Sequence, residues 1–199
     1  LLLWHLVGTR KLTGDVAKTF SSTKMLDKIA AKYGRSIFEV PIGFKYICEL
    51  MLSRDILLGG EESGGIGTKL YLPERDATVT ALLLVELMAW HGKGLGELVQ
   101  QLQKEFGEHD YGRVDLELKP GQKERAIKYF ASKKLGRFLD WKISKREDMD
   151  GIKLTFADGG WLLVRASGTE PMLRVYAETS RMESTRRILE EAAKIARAI

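Results

Sequence analysis

Residues 165–171, Arg-Ala-Ser-Gly-Thr-Glu-Pro, lie between two apolar segments near the end of the chain and combine groups that bind phosphate. Arg165 offers a planar fork of donors, while Ser167 and Thr169 carry hydroxyl groups. Gly168 lets backbone N–H groups approach a ligand closely. An ordinary turn between two strands uses the same residue types. These residues alone therefore leave both interpretations open.

Residues 59–65, Gly-Gly-Glu-Glu-Ser-Gly-Gly, form a second candidate site. The carboxylates of Glu61 and Glu62 and the hydroxyl of Ser63 can accept and donate hydrogen bonds to neighbouring hydroxyl groups of a sugar. The flanking glycines let the chain turn tightly. A strand predicted at residues 55–58 precedes this stretch, and open α/β sheets usually bind ligands past the carboxyl ends of their strands. The alternative is an acidic turn that faces solvent.

Both motifs resemble parts of one enzyme family. Residues 165–178 resemble the phosphate-binding loop and following strand in the last domain of the phosphoglucomutase/phosphomannomutase family, and residues 59–65 resemble the sugar-recognition loop of its third domain. The resemblance covers the whole chain but only the second half of a family member, which normally has four domains. It implies that residues 1–107 form the third domain and residues 108–199 the fourth.

The resemblance implies that Glu61 and Ser63 contact the sugar ring, whereas Glu62 faces elsewhere. The presence of both Glu61 and Ser63 has a mechanistic reason, because a mutase must hold its substrate in either orientation. Two groups can bridge neighbouring ring hydroxyls that exchange places when the sugar turns over. A donor-rich loop would anchor the phosphate that is not reacting. The residues expected to bind that phosphate are Arg165, Ser167, Gly168 and Thr169.

Three cations are expected to accompany the sugar-binding residues. Lys18 resembles the family's sugar-site lysine at the end of the first strand of this domain. Arg75 stands where the family commonly has lysine, followed by Asp-Gly, and here Ala77 replaces the glycine; arginine keeps the charge but not the contact geometry of lysine. Lys45 begins a predicted helix, where a solvated position is as compatible with the sequence as a ligand contact.

Residues 148–151, Asp-Met-Asp-Gly, begin like the family's magnesium loop, but Ile152 stands where the third carboxylate would be. Because magnesium requires several hard oxygen ligands, we predict a hairpin turn at Asp150-Gly151 instead. A serine loop of the Thr-Ala-Ser-His-Asn type is also absent from the sequence. We therefore expect no catalytic residue and no metal ligand in this chain.

The family transfers a phosphoryl group from a phosphoserine to a hexose phosphate and back through a bisphosphate. The resemblance implies interconversion of hexose 1-phosphate and hexose 6-phosphate by the full-length protein, with Mg²⁺ held by a preceding domain and hexose 1,6-bisphosphate as intermediate. The expected partners are a hexose phosphate and the protein's own N-terminal domains, and this chain alone is expected to be inactive. Residues 61–65 resemble glucose- and mannose-type mutases more than phosphoglucosamine mutases. The alternative is a non-catalytic sugar-phosphate-binding or regulatory protein.

The composition fits an ordinary globular protein and disfavours two other classes. The 199 residues are 44% hydrophobic and 30% charged, with a net charge of +5 and one cysteine, Cys48. A lone cysteine forms no internal disulfide, which favours a reducing, cytoplasmic setting. The basic residues alternate with acidic ones instead of forming a stripe, so nucleic acid is not an expected partner. The apolar run at residues 77–90 is interrupted by Glu86 and is shorter than the roughly 20 residues that span a bilayer, so we expect a buried helix and no membrane association.

The spacing of apolar residues predicts an α/β chain: a layered α/β/α domain with a mixed, largely parallel sheet, followed by a smaller α+β domain with an antiparallel sheet. The resemblance gives this second domain a TATA-box-binding-protein-like fold. A polar break at residues 107–110 separates the two. We predict helices at residues 1–10, from Ser21 or Ser22 to 33, at 44–53, 76–90, 95–106 and 120–134, and at the C-terminus. We predict strands at residues 14–20, 36–40, 55–58, 111–118, 141–146, 152–156, 161–165 and 172–178.

Overall fold

The computed structural model describes residues 1–167 and 172–199. They divide into two compact units, Leu1–Gly107 and Glu108–Ile199. The first unit contains a four-stranded sheet in the order β2-β1-β3-β4, in which β1, β2 and β3 are parallel and β4 is antiparallel. Its strands are β1 (Asp15–Thr19), β2 (Ile37–Val40), β3 (Ile56–Gly60) and β4 (Ile66–Thr68).

The helices of the first unit cover both faces of this sheet. Adjacent residues of a strand point to opposite faces, and Val16 packs in one apolar cluster whereas Ala17 packs in another. The larger cluster includes side chains of α1, α2, α4 and α5, and the smaller one those of α3. The predicted layered α/β/α arrangement is therefore confirmed. The helices are α1 (Leu2–Trp4), α2 (Met25–Lys32), α3 (Phe44–Ser53), α4 (Ala77–His91) and α5 (Leu95–Phe106).

The second unit is an antiparallel six-stranded sheet in the order β5-β10-β9-β8-β7-β6. One apolar cluster joins the sheet to α6 and α7 through residues such as Phe130, Val164 and Ile188. The predicted α+β domain with an antiparallel sheet is confirmed. Its elements are β5 (Asp110–Glu117), α6 (Gln122–Ala131), β6 (Arg137–Phe138), β7 (Trp141–Glu147), β8 (Ile152–Phe156), β9 (Trp161–Ala166), β10 (Met172–Thr179) and α7 (Met182–Ala198).

Several local predictions were wrong. Neither Ser21 nor Ser22 caps α2, which begins after Lys24, and the backbone N–H of Met25 bonds instead to the hydroxyl of Thr23 at 3.1 Å. The helix predicted from residue 120 to 134 ends at Ala131 because the backbone is extended at the next residue. By contrast, the helix predicted at residues 1–10 is confirmed, as a short α-helix, Leu2–Trp4, followed by a π-helical segment, His5–Thr9. The short strands β4 and β6 were not predicted.

Helix α4 was predicted to be buried, and this is wrong for one of its faces. Leu83 and Leu87 are buried in the core, whereas Leu82, Val85 and Trp90 are 64%, 62% and 65% exposed. Within the ranges described, none of the helices has both the length and the apolar character needed to cross a membrane.

The two hairpin turns that flank β8 carry a glycine with positive φ. Gly151 has φ +90° and Gly159 has φ +92°, a conformation that glycine adopts easily and other residues do not. The surroundings differ, however. A Cβ atom at Gly151 would lie 2.6 Å from the carbonyl oxygen of Val164, whereas one at Gly159 would have no neighbour within 4 Å. The predicted turn at Asp150-Gly151 is confirmed and packs tightly against β9.

We expect Gly151→Ala to destabilise the chain far more than Gly159→Ala. Both substitutions force an unfavourable backbone conformation, which costs on the order of 1–3 kcal/mol, but only the first adds a clash with backbone atoms of β9. Urea unfolding should show a small loss for Gly159→Ala and a loss at least about 2 kcal/mol larger for Gly151→Ala. Equal losses would contradict the tight packing of this turn.

Candidate functional site

The sugar loop, residues 61–65, connects β3 to β4 as the tip of a hairpin. The backbone N–H of Glu61 donates to the carbonyl of Gly65 at 2.9 Å, and that of Gly64 donates to the carbonyl of Glu61 at 3.1 Å. Lys18 of β1 pairs in parallel register with Gly60 of β3. The loop therefore follows the carboxyl ends of the parallel strands, where open α/β sheets usually bind ligands.

The carboxylate of Glu61 is nearly buried, with 8% of its side chain exposed. Its Oε2 lies 3.4 Å from Nη1 of Arg75, and the backbone N–H of Gly43 also donates to it. Burial raises the pKa of Glu61, the charge of Glu62 raises it further, and Arg75 and the Gly43 N–H oppose these effects. The Glu61 side chain is thus held in place, but its ionised form is compensated only in part.

Glycine at position 65 leaves room for the contact between Glu61 and Arg75. A Cβ atom there would lie 3.1 Å from Oε2 of Glu61 and 3.3 Å from Cδ of Arg75. Such distances are shorter than ordinary van der Waals contact, so one or both of these side chains would have to shift by a few tenths of an ångström to admit a side chain here. The glycines of the loop were expected to permit a tight turn, and Gly65 in addition leaves room for the Glu61–Arg75 contact.

Glu62 binds to Thr19 at the end of β1 and to Ser21, which follows two positions later. Its Oε2 accepts hydrogen bonds from Ser21 Oγ at 2.5 Å and from Thr19 Oγ1 at 3.4 Å. Both Ser21 and Thr19 are fully buried, and Thr19 also contacts the hydroxyl of Ser22 at 3.0 Å. This cluster fixes the loop to the neighbouring strand. Ser21 thus contacts Glu62 and is not the cap of α2 that the sequence pattern suggests.

Three other predicted residues, Ser63, Arg75 and Lys45, have exposed side chains. Arg75 is 60% exposed and its guanidinium carbon lies 5.8 Å from the ring centre of Phe44, a distance at which cation–π attraction operates. Lys45, which follows Phe44 in the chain, places its Nζ 4.7 Å from the ring centre of Tyr46. The structure therefore brings Arg75 to Glu61, with Ser63 exposed in the same loop.

Lys18 lies in a different environment from the other predicted sugar contacts. Its side chain is fully buried, and its ammonium forms an ion pair with Asp27 of α2 and lies 3.7 Å from Glu39 of β2. It also donates to the backbone carbonyl of Thr23 at 3.3 Å. A charge without water needs such partners. Lys18 remains a predicted sugar contact, but it must leave this pair to reach a ligand.

The candidate phosphate site in the second unit begins at the end of β9. The backbone N–H of Ser167 donates to the carbonyl of Met172 at 2.9 Å and closes the pair of β9 with β10, and Ser167 itself is buried. Gly168 and Thr169 lie outside the described residues. Arg165 donates from Nε to Oδ1 of Asp150 at 2.8 Å, with 16% of its side chain exposed.

A second arginine belongs to the same region and was missed. Arg174 of β10 is the direct register partner of Arg165 on β9 and of Asp115 on β5. Directly opposed residues of antiparallel strands lie on the same face, so two guanidinium groups share one face beside the start of the phosphate motif. The strand predicted at residues 172–178 could have identified Arg174, because every second residue of a strand lies on the same face. Hydrogen bonding to Arg113 chiefly lowers the pKa of Asp115, and Arg174 adds to this effect.

The described part of the chain contains no group of three or more His, Cys, Asp or Glu residues that could hold a metal ion. Asp150, the residue of the incomplete magnesium motif, is paired with Arg165. The groups described in both units are hydrogen-bond donors, acceptors and charges. The residues predicted to bind sugar belong to the first unit, and those predicted to bind phosphate belong to the second.

Two family profiles match this chain, one in each unit. Residues 1–106 match "Phosphoglucomutase/phosphomannomutase, alpha/beta/alpha domain III". Residues 118–195 match "Phosphoglucomutase/phosphomannomutase, C-terminal domain". The order of the two profiles is the one that the two motifs suggested.

Individual relatives agree with the profiles. A phosphoglucomutase/phosphomannomutase of Thermococcus kodakarensis is 30% identical over 182 residues, which cover 92% of this chain and 38% of the relative. A phosphoglucosamine mutase of Carboxydothermus hydrogenoformans is 31% identical over 88% of this chain and 35% of its own length. A crystal structure from Thermus thermophilus, provisionally assigned as a phosphomannomutase, superposes with a TM-score of 0.78 at 33% identity.

The superposition with the Thermus thermophilus protein covers 98% of this chain and 39% of that protein. The chain thus spans well under half the length of the relatives that it matches. The two profiles together account for both structural units, since they cover residues 1–106 and 118–195. The chain belongs to the phosphoglucomutase/phosphomannomutase family.

Proposed function

We propose that this chain supplies the sugar-binding and phosphate-binding parts of a phosphohexomutase that interconverts hexose 1-phosphate and hexose 6-phosphate. The hexose is glucose, mannose or both, and the reaction passes through a phosphoserine and hexose 1,6-bisphosphate. The observation that carries the proposal is the environment of the Glu61 carboxylate. A nearly buried carboxylate with a raised pKa lies in a loop at the carboxyl edge of a parallel sheet, beside Arg75.

Sugar hydroxyls can donate the hydrogen bonds that would stabilise the ionised form of Glu61. An ionised group that is partly removed from water gains when a ligand donates hydrogen bonds to it, by about 1.5–3 kcal/mol for each bond to a charged group. Ser63 is exposed in the same loop and can bind the adjacent ring hydroxyl. The pair Glu61 and Ser63 can therefore exchange hydroxyl partners when the sugar reverses.

The hydrogen bonds made by Glu62 support this assignment because they give the two adjacent carboxylates different roles. Glu62 is bound by Ser21 and Thr19 and holds the loop. Glu61 is left to face the ligand. Lys45 is proposed as a further contact from the start of α3, and Lys18 as a contact that becomes available when its ion pair opens.

At the other end of the ligand, Arg165, Ser167, Gly168 and Thr169 are proposed to anchor the phosphate that is not reacting. A planar arginine fork and hydroxyl donors suit a phosphate dianion. The phosphoserine and Mg²⁺ are proposed to belong to N-terminal domains of the full-length enzyme. Such an enzyme of sugar metabolism would act in the cytoplasm.

Binding measurements can separate the two parts of the proposed site. We expect calorimetry of this chain to show binding of glucose 1-phosphate, glucose 6-phosphate and inorganic phosphate. Arg165→Ala should weaken all three ligands by more than about tenfold, because a charge-assisted hydrogen bond contributes at least about 1.5 kcal/mol. Glu61→Ala should weaken only the two sugar phosphates.

Two exposed residues provide the controls for this titration. Arg186 of α7 and Glu124 of α6 are exposed, and their alanine variants should bind all three ligands like the wild type. If Arg165→Ala and Arg186→Ala had the same effect on inorganic phosphate, the loss would reflect net charge alone, and the phosphate assignment would fail.

Stability should respond in opposite directions to changes at the two adjacent carboxylates. Folding raises the pKa of Glu61, so its ionised form is disfavoured by folding, and stability falls as pH rises from the unfolded pKa through the folded one. Glu61→Gln should therefore raise the melting temperature at pH 7, with a difference that shrinks towards about pH 4 and below, where the carboxyl is protonated.

Glu62→Ala is the matched comparison. It removes the carboxylate acceptor that Ser21 Oγ reaches at 2.5 Å and leaves this buried hydroxyl only a 3.4 Å contact with Thr19 Oγ1. A poorly satisfied buried polar group costs up to about 1–3 kcal/mol. The melting temperature should fall. Destabilisation by both substitutions at pH 7 would show that Glu61 is a structural carboxylate, and it would remove the main support for a sugar-binding role.

We expect the chain alone to have no mutase activity. The sequence lacks the family's serine loop and a complete magnesium loop, so the phosphoryl donor and its metal are both missing. A coupled assay with glucose 1-phosphate, glucose 1,6-bisphosphate and Mg²⁺ should give no glucose 6-phosphate above background. Turnover that copurifies with the chain and disappears in Arg165→Ala would contradict this expectation.

A further inference from the structure

We propose that Asp150 is the positioning residue for Arg165 and that it pre-orients the guanidinium group for a phosphate. This inference rests on the proposed function, because it takes Arg165 as a phosphate ligand. From the sequence, Asp150 is predicted only as part of a hairpin turn. In the structure its Oδ1 accepts a hydrogen bond from Nε of Arg165 at 2.8 Å.

The turn that carries Asp150 is fixed against the strand that carries Arg165. A Cβ atom on the next residue, Gly151, would lie 2.6 Å from the carbonyl oxygen of Val164 and 2.9 Å from Cα of Arg165. Backbone therefore packs on backbone at this point, and the pairing of Ile152 with Val164 continues the contact along the strands. The position of Asp150 relative to Arg165 is set by the sheet and not by a flexible side chain.

The contact uses one particular nitrogen of Arg165. A guanidinium group has five N–H donors, and binding through Nε leaves the edge formed by the two Nη groups for a bidentate contact with phosphate. Within residues 1–167 and 172–199, the side chain of Arg165 makes its hydrogen bond through Nε. Arg113 shows the contrasting case, since its Nε and Nη2 both bond to Asp115, at 2.7 and 2.5 Å.

Burial makes the contact effective. The side chains of Arg165 and Asp150 are 16% and 23% exposed, so water screens the pair less than it screens a surface ion pair. Arginine loses up to about 2 kcal/mol of rotamer entropy when it is fixed. Asp150 imposes that loss during folding, and phosphate then meets an arginine that is already oriented.

The negative charge of Asp150, in contrast to its hydrogen bond, is expected to weaken phosphate binding. A carboxylate beside Arg165 repels a phosphate, so a purely electrostatic role predicts that removing the charge strengthens phosphate binding. A positioning role predicts that removing the hydrogen bond acceptor weakens it. Asp150→Asn keeps an acceptor without the charge, whereas Asp150→Ala removes both. The two variants therefore separate the two effects.

The test combines calorimetric titration with inorganic phosphate and a ligand-free measurement of Arg165. Asp150→Ala should bind phosphate about tenfold more weakly than the wild type, and Asp150→Asn should stay within about threefold of it. In ¹⁵N NMR spectra, the Nε–H of Arg165, assigned by its loss in Arg165→Lys, should exchange slowly with solvent in the wild type and in Asp150→Asn but rapidly in Asp150→Ala.

Asp158→Ala is the matched control, because Asp158 is the carboxylate of the next hairpin and accepts from Nε1 of Trp141 at 2.9 Å. It should leave both readouts unchanged. Stronger phosphate binding in both Asp150 variants, or equal Nε–H exchange in the wild type and Asp150→Ala, would overturn the positioning role. If the Nε–H is protected as expected but wild type and Arg165→Ala both fail to bind phosphate, the proposed function fails instead, and Asp150–Arg165 is a structural ion pair only.

Discussion

The parallel pairing of β1 with β3 is the contact on which the candidate sugar site depends. It places Thr19, the last residue of β1, beside the sugar loop that follows β3, so that the hydroxyls of Thr19 and Ser21 reach Glu62. Without that register the loop would be a glycine-rich hairpin tip with two adjacent carboxylates repelling each other. With it, Glu62 is bound to the end of β1, and Glu61 contacts Arg75 instead.

A related principle applies in the second unit, where the sheet also brings charges together that need partners. Arg165 and Arg174 are directly opposed on neighbouring strands, and carboxylates of Asp150 and Asp115 lie beside them. Two guanidinium groups on one face repel each other, and the carboxylates reduce this repulsion. For the proposed phosphate ligand this pairing implies a weaker electrostatic attraction, which donors that are oriented before the ligand arrives can offset.

The sequence predicted the parts of the structure that follow from local patterns. The alternation of strands and helices and the hairpin turn at residues 150–151 lie where the sequence predicts them, because hydrophobic periodicity and turn chemistry are encoded within a few residues. The side-chain partners were not predictable in this way. Ser21 bonds to Glu62 across 41 positions and Arg165 bonds to Asp150 across 15, so these contacts depend on strand order and register.

Lys18 shows why a residue type and a position in a strand do not determine exposure. The family resemblance implies a ligand contact for Lys18, yet α2 and β2 provide Asp27 and Glu39, and the buried ammonium lies close to both carboxylates. Glu61 is the opposite case, since a solvent-facing turn is the alternative interpretation of its loop, and yet its carboxylate is nearly buried. Both residues hold an ionisable group largely out of water. Lys18 has carboxylate partners on two elements, whereas the only charged partner described for Glu61 is an arginine that is itself 60% exposed. The ionised form of Glu61 is therefore compensated less than that of Lys18, and it has more to gain from hydrogen bonds to a ligand.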